Sequence, residues 1–253
     1  MAAVSTRQLL GCGVLAGPLF VGVTAIEALT RDGFDIRRHG ISLLALGGPG
    51  WIQVANFVAA GALSIGFGVG VRRLLGRGAA APLVWGYGAG LIVTGLFLVD
   101  PGAGFPLGTP LDASGLSWHG AVHAVAPPFA FACLAALCGW FARWFAARGR
   151  PGWAGSGGWA GSGGWAGSGG WAGSGGWAVY SVLTALAALL LIFLPGGGGS
   201  MRSALAVVLT SAWLTGLAVV LRRSVPVPAG PGSARFAVQT LAEPGHPGAS
   251  ARN

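Results

Sequence analysis

Two histidines, His119 and His123, stand four residues apart at the start of an apolar run. On a helix that spacing puts both imidazoles on one face, one turn apart. Imidazoles so placed hold a zinc ion when a carboxylate or a third imidazole completes the site. Asp100 supplies a carboxylate. It ends the apolar run 91–99, and a Gly/Pro-rich loop with no basic residue joins it to His119. Asp100, His119 and His123 are therefore expected to share a proton, a water or a metal ion, with zinc as the cofactor such a set would take. Bare H-x-x-x-H spacing also arises by chance, so interface histidines bonded to loop carbonyls are the competing reading. Pro127 and Pro128 follow. Lacking N–H groups, they deprive the carbonyls of His123 and Ala124 of helical partners. A kinked helix mouth with a wet side is expected.

Five further residues carry chemistry worth placing. Glu27 sits near the far end of the first apolar run, and an acid inside such a run is a candidate proton or ligand site. The stretch 30–50 is dense in charge and holds Asp35 and His39. Ion pairs within that loop compete with display of both residues toward 100–123. Gln53 and Asn56 are three apart, so their amides share a helix face; bonds to neighbouring helices compete with a ligand role. Cys12, Cys133 and Cys138 all lie inside apolar runs, where small apolar packing is expected of them.

These residues need a scaffold, and composition names its solvent. Of 253 residues, 53% are apolar and only 8% charged, with mean hydropathy +0.70. A soluble domain carries about a quarter charged residues, so this chain is built for lipid. The apolar runs are 9–29, 51–71, 82–99, 119–141, 177–194 and 203–221, each about the length a bilayer requires. The reading is all-α: a polytopic transmembrane helix bundle of six spans, within a domain covering 1–221. No small-x-small cleavage site follows the first run, which reads as an uncleaved span. The short run 41–46 cannot span and is expected on the membrane surface or tucked back against it. Gly13 with Gly17, Gly66 with Gly70 and Gly86 with Gly90 are small-residue pairs suited to close helix contact.

Net charge is +9, and every basic residue is arginine. The arginines sit at the ends of apolar runs instead of forming one patch, which argues for the lipid bilayer as partner and against nucleic acid. Eleven arginines fall on the side shared by the termini and four on the other. The positive-inside rule then makes both termini cytoplasmic, in a multi-pass protein of a bacterial plasma membrane. Glu27, Asp35, His39, Asp100, His119 and His123 converge on the external face. A hexapeptide, GSGGWA, recurs through 152–178. Its period matches no solenoid unit of the roughly 20–50 residue kind, and its Gly/Ser content suits a flexible cytoplasmic linker over 152–176. The tail 222–253, rich in Pro, Gly, Ala and Ser, is expected to be disordered.

The segments LAGPLF (15–20), RDGFDIRRHGISLLALGGPGWIQVANF (31–57), VDPGAGFP (99–106) and SWHGAVH (117–123) together resemble the uncharacterised bacterial six-helix membrane family catalogued as domain of unknown function 998. The likeness spans roughly 9–221, apart from the hexapeptide expansion. It implies fold and topology, and no activity. A fainter likeness is to integral-membrane zinc hydrolases of the alkaline ceramidase and adiponectin-receptor type. It implies Asp100, His119 and His123, with His39 and Ser42, as the site. This chain departs in having six spans, not seven, and in placing its histidine pair at the opening of the fourth span. Two functions stay open: binding of a lipid or small ligand at an external polar mouth, or metal-assisted hydrolysis of a lipid amide or ester.

Overall fold

A computed structural model describes residues 4–113, 115–148, 174–193 and 199–225. The described residues form long helices α1 (Thr6–Thr30), α2 (Trp51–Leu75), α3 (Ala80–Leu96), α4 (Trp118–Arg148), α5 (Ser174–Phe193) and α6 (Gly199–Arg223). Short 3-10 turns at Ile41–Ala45 and Gly48–Gly50 interrupt the α1–α2 connection. The described part of the hexapeptide stretch begins at Ser174, inside α5. Of the linker expected over 152–176, residues 174–176 lie in α5, and of the tail expected over 222–253, residues 222–223 lie in α6; 152–173 and 226–253 lie outside the described residues.

Each helix packs on the next, and α6 returns to α1, so the six close into a ring. Neighbours run antiparallel, as the level of their contacts shows. Phe20 meets Phe57 and Thr24 meets Gln53; Gly17 lies against Ser211 and Gly13 against Ala218. Lipid offers apolar helices no hydrophobic reason to associate, so small residues that let backbones approach supply the contact. Gly61 and Gly88 do this for α2 and α3: a Cβ on either would stand 2.5 or 2.7 Å from the other's carbonyl oxygen.

Five of the helical segments are long and apolar enough to cross a membrane. The sixth helix, α3, has 17 residues, about 26 Å at 1.5 Å per residue. It starts earlier than its apolar run suggests because Pro82 falls in the first turn, where a backbone N–H has no helical partner anyway. It also stops earlier, since Phe97 turns extended (φ −104°, ψ 104°). Asp100 therefore lies beyond the helix and does not end it. Helix α4 carries Pro127 and Pro128 in its interior and continues to Arg148, past the expected end near 141.

The largest apolar cluster fills the arginine-rich end of the ring, around Phe67, Phe141 and Trp213. The opposite end, the mouth, is closed differently. Residues 41–46 tuck back into it: Ile41, Leu43, Leu44, Ala45 and Leu46 are all buried. Ile41 joins a cluster with Phe20, Phe57 and Leu91 from three helices. Leu43 and Leu46 join another with Phe105, from the α3–α4 connection.

Candidate polar site at the mouth

The α3–α4 connection is held by reciprocal capping. Ser117 precedes α4, and its hydroxyl accepts the Gly120 N–H at 3.0 Å. That is half of a capping box, whose other half is a glutamate or glutamine side chain three residues after the cap. Gly120 has no side chain; the carboxylate comes from Asp100, whose Oδ2 accepts the Ser117 N–H at 2.9 Å. In return, His123 of α4 binds the Phe97 carbonyl at the end of α3, with Nδ1 at 2.7 Å. A carbonyl only accepts, so Nδ1 carries the proton.

Hydrogen bonds from the Ser117 hydroxyl and amide hold the Asp100 carboxyl below the usual carboxylate range. The charges of His119 and His123 act in the same direction, so both imidazoles lie within electrostatic reach. They differ in surroundings. His123 is buried, whereas His119 is exposed, its ring 3.6 Å from that of Trp118. Asp100 borders an open groove of about 690 Å³ whose wall includes Pro101, Thr109, Pro110 and Leu116.

His39 is buried and serves the joint between the two mouth loops. Its Nδ1 accepts the Asp35 N–H at 2.9 Å, so Nε2 bears the hydrogen donated to the Ala103 carbonyl at 3.0 Å. Its ring lies 5.5 Å from Phe34 and 5.3 Å from Phe105. Asp35 is exposed, and its carboxylate accepts the Arg37 N–H at 2.9 Å. The loop is thus organised by backbone bonds, while the ion pair nearest to it joins Arg31 to Glu27 at 3.5 Å.

Gln53 and Asn56 face α1. Both amides donate to the Thr24 hydroxyl, at 3.1 and 3.2 Å, and Asn56 also donates to the Phe20 carbonyl at 3.1 Å. Helix-to-helix bonding, one of the two roles open to them, is thus present. Glu27 is 4% exposed; its Oε1 pairs with Arg31 at 3.5 Å, while its Oε2 and Oδ1 of Asn56 have no hydrogen-bond partner.

The structure thus brings Asp100, His119 and His123 to one level and sets Glu27, Gln53 and Asn56 apart, in the α1–α2 seam. Among the described residues, no three His, Cys, Asp or Glu side chains group as metal donors would. His123 turns its Nδ1 to a carbonyl, and His119 is exposed. Arg31, Ser117 and Gly120 matter here and were not among the expected residues. Ser117 alone carried a signal, as a serine immediately before an apolar run.

A ring of antiparallel apolar helices with its polar residues buried in seams or capped at one mouth defines a multi-pass membrane protein. The family model described as "Protein of unknown function (DUF998)" matches residues 14–220, and the chain belongs to that family. No curated protein and no solved structure matches it.

Proposed function

We propose that the mouth binds an amine-bearing amphiphile, such as a lipid headgroup carrying a primary ammonium, with Asp100 as its counter-ion. One observation carries this reading: a carboxylate whose ionised form is bonded by Ser117 borders a groove walled by Pro101, Pro110 and Leu116. An opposite charge beside such a carboxylate is favoured, and the prolines and leucine accept methylenes next to it. Leu107, Leu111, Leu116 and Trp118 are largely exposed around the same loop. Apolar side chains on a loop adjoining a bilayer suit contact with the headgroup region.

The reading takes α3 as a sixth span and both termini as cytoplasmic, so that the mouth faces outward. Arginine asymmetry supports this orientation. The test is titration of detergent-purified protein with a short-chain phosphatidylethanolamine, read by fluorescence of the tryptophans. Saturable binding weakened at least about tenfold by Asp100→Asn is expected, one unit of 1.4 kcal/mol. A phosphatidylglycerol of equal chain length should bind no better to wild type than to the variant. Equal phosphatidylethanolamine binding by both proteins would refute the assignment.

A further inference from the structure

Residues 41–46 pack on α1 and α2, where a second cluster of buried polar side chains lies apart from the Asp100 groove. Thr24, Gln53 and Asn56 are each at most 7% exposed. Their donors are all engaged with one another or with the Phe20 carbonyl. What stays unfilled is acceptor capacity: Oδ1 of Asn56 and, about a turn nearer the mouth on α1, Oε2 of Glu27, whose Oε1 faces Arg31 at 3.5 Å. A buried acceptor without a donor costs about 1–3 kcal/mol. Such a group is costly packing unless it is reached by water or a solute.

Besides its apolar packing, the segment over this cluster is bonded by one arginine. Arg31 donates from Nη1 to the Leu44 carbonyl at 3.0 Å and from Nη2 to the Leu46 carbonyl. The same guanidinium pairs with Glu27 at 3.5 Å and lies 5.5 Å from the centre of the Phe105 ring. The chain wraps it closely: Gly47 takes φ +76°, and a Cβ there would stand 3.3 Å from Nη2. Ile41, at the start of the covering turn, packs in the cluster of Phe20 and Phe57, at the level of Asn56. Glycines at 40 and 47 flank the segment, and such residues absorb backbone rotation readily.

We propose that residues 41–46 are a lid, latched by Arg31, over an acceptor site formed by Glu27 and Asn56 that takes a small hydrogen-bond-donating solute. Opening exchanges the two carbonyl bonds of Arg31 for water. It exposes the Gln53–Asn56 face without separating the helices.

Thiol accessibility tests this in detergent solution, where membrane orientation plays no part. Cys12, Cys133 and Cys138 are first replaced by alanine. Asn56→Cys is then the reporter, Asp112→Cys the exposed control and Ser64→Cys the deep control, Ser64 being 1% exposed. The probe is a methanethiosulfonate carrying a trimethylammonium group. With Arg31 present, the reporter should react far more slowly than Asp112→Cys. Arg31→Ala should accelerate the reporter at least about tenfold, equivalent to 1.4 kcal/mol, and leave Ser64→Cys silent. Gly47→Ala, which crowds the guanidinium, should accelerate it by a smaller factor, and it carries the test if Arg31→Ala is not recovered folded. An unchanged reporter rate overturns the lid. So does equal acceleration at Asn56→Cys and Ser64→Cys, which would mean that the whole bundle had loosened.

Discussion

Oδ2 of Asp100 lies 1.9 Å from the point where a Cβ on Gly120 would stand. The carboxylate therefore fills the space that the third residue of α4 leaves empty and does the work of that residue's side chain. Gly120→Ala should force the two apart. Overpacking of this kind costs about 1–3 kcal/mol, and here it also displaces the bond to the Ser117 amide. A clear drop in melting temperature is expected by thermal shift in detergent. Adding Asp100→Ala to Gly120→Ala should relieve the clash without restoring the cap, so the double variant should melt above the Gly120→Ala protein and below wild type. A double variant as unstable as the sum of the singles would show that the contact is not shared.

The same carboxylate predicts a pH dependence of defined sign. Its pKa in the folded chain lies below the ordinary 3.8, first because the Ser117 hydroxyl and amide bind the ionised form. A lowered carboxyl pKa stabilises the fold wherever the group is ionised in both states, above 3.8, and that contribution is lost as pH falls through the folded value. The melting-temperature gap between wild type and Asp100→Asn should be constant at neutral pH and should close below 3.8. A gap that instead widened on acidification would contradict the cap.

His39 bonds at both ring nitrogens, and each partner is a backbone group in a different loop. His39→Phe keeps a ring beside Phe34 and Phe105 but leaves the Asp35 N–H and the Ala103 carbonyl without partners. A loss of about 1–3 kcal/mol is expected for each group that stays buried. Hydrogen exchange should quicken at residues 34–46 and 100–106 together, because this ring joins them. Quickening confined to one loop would show that they are held independently.

These cases mark what the sequence made legible. Apolar length gave the helices, since a bilayer sets that length, and His119 and His123 did come to the level of Asp100. The use of that level was hidden. A capping box is read from a residue three positions after the cap, and here that position is Gly120, its acid supplied from residue 100. Arg31 was equally hidden, because a guanidinium that closes on Leu44 and Leu46 carbonyls pairs with backbone, which no residue pattern encodes. Phe97 leaves α3 inside an apolar run; its carbonyl, whose helical partner would be the N–H that Pro101 lacks, is bonded by His123 instead.

The proposed outward-facing mouth rests on arginine asymmetry and is open to direct measurement. In a background without native cysteines, thiols at Thr109 and Gly197 should react with an impermeant reagent on intact cells, and one at Gly78 should not. Labelling at Gly78 with silence at Thr109 would invert the topology and place the Asp100 groove in the cytoplasm.

The hexapeptide stretch separates two roles for one residue type. Trp177, its last tryptophan, lies inside α5. It stacks on Phe145 at 5.7 Å, and its ring stands 3.0 Å from a Cβ placed on Gly216. It therefore ties α5 to α4 and α6, and Trp177→Ala should cost about 1 kcal/mol, the size of one aromatic pair. The units at 153–170 repeat the same residues at a six-residue period, far shorter than the roughly 20–50 residue units of most repeat folds. Deleting 153–170 should leave folded yield and melting temperature near wild type, while Trp177→Ala lowers the melting temperature in both backgrounds by the same amount. A large loss of folded yield on deletion would show that the repeated tryptophans also pack against the bundle.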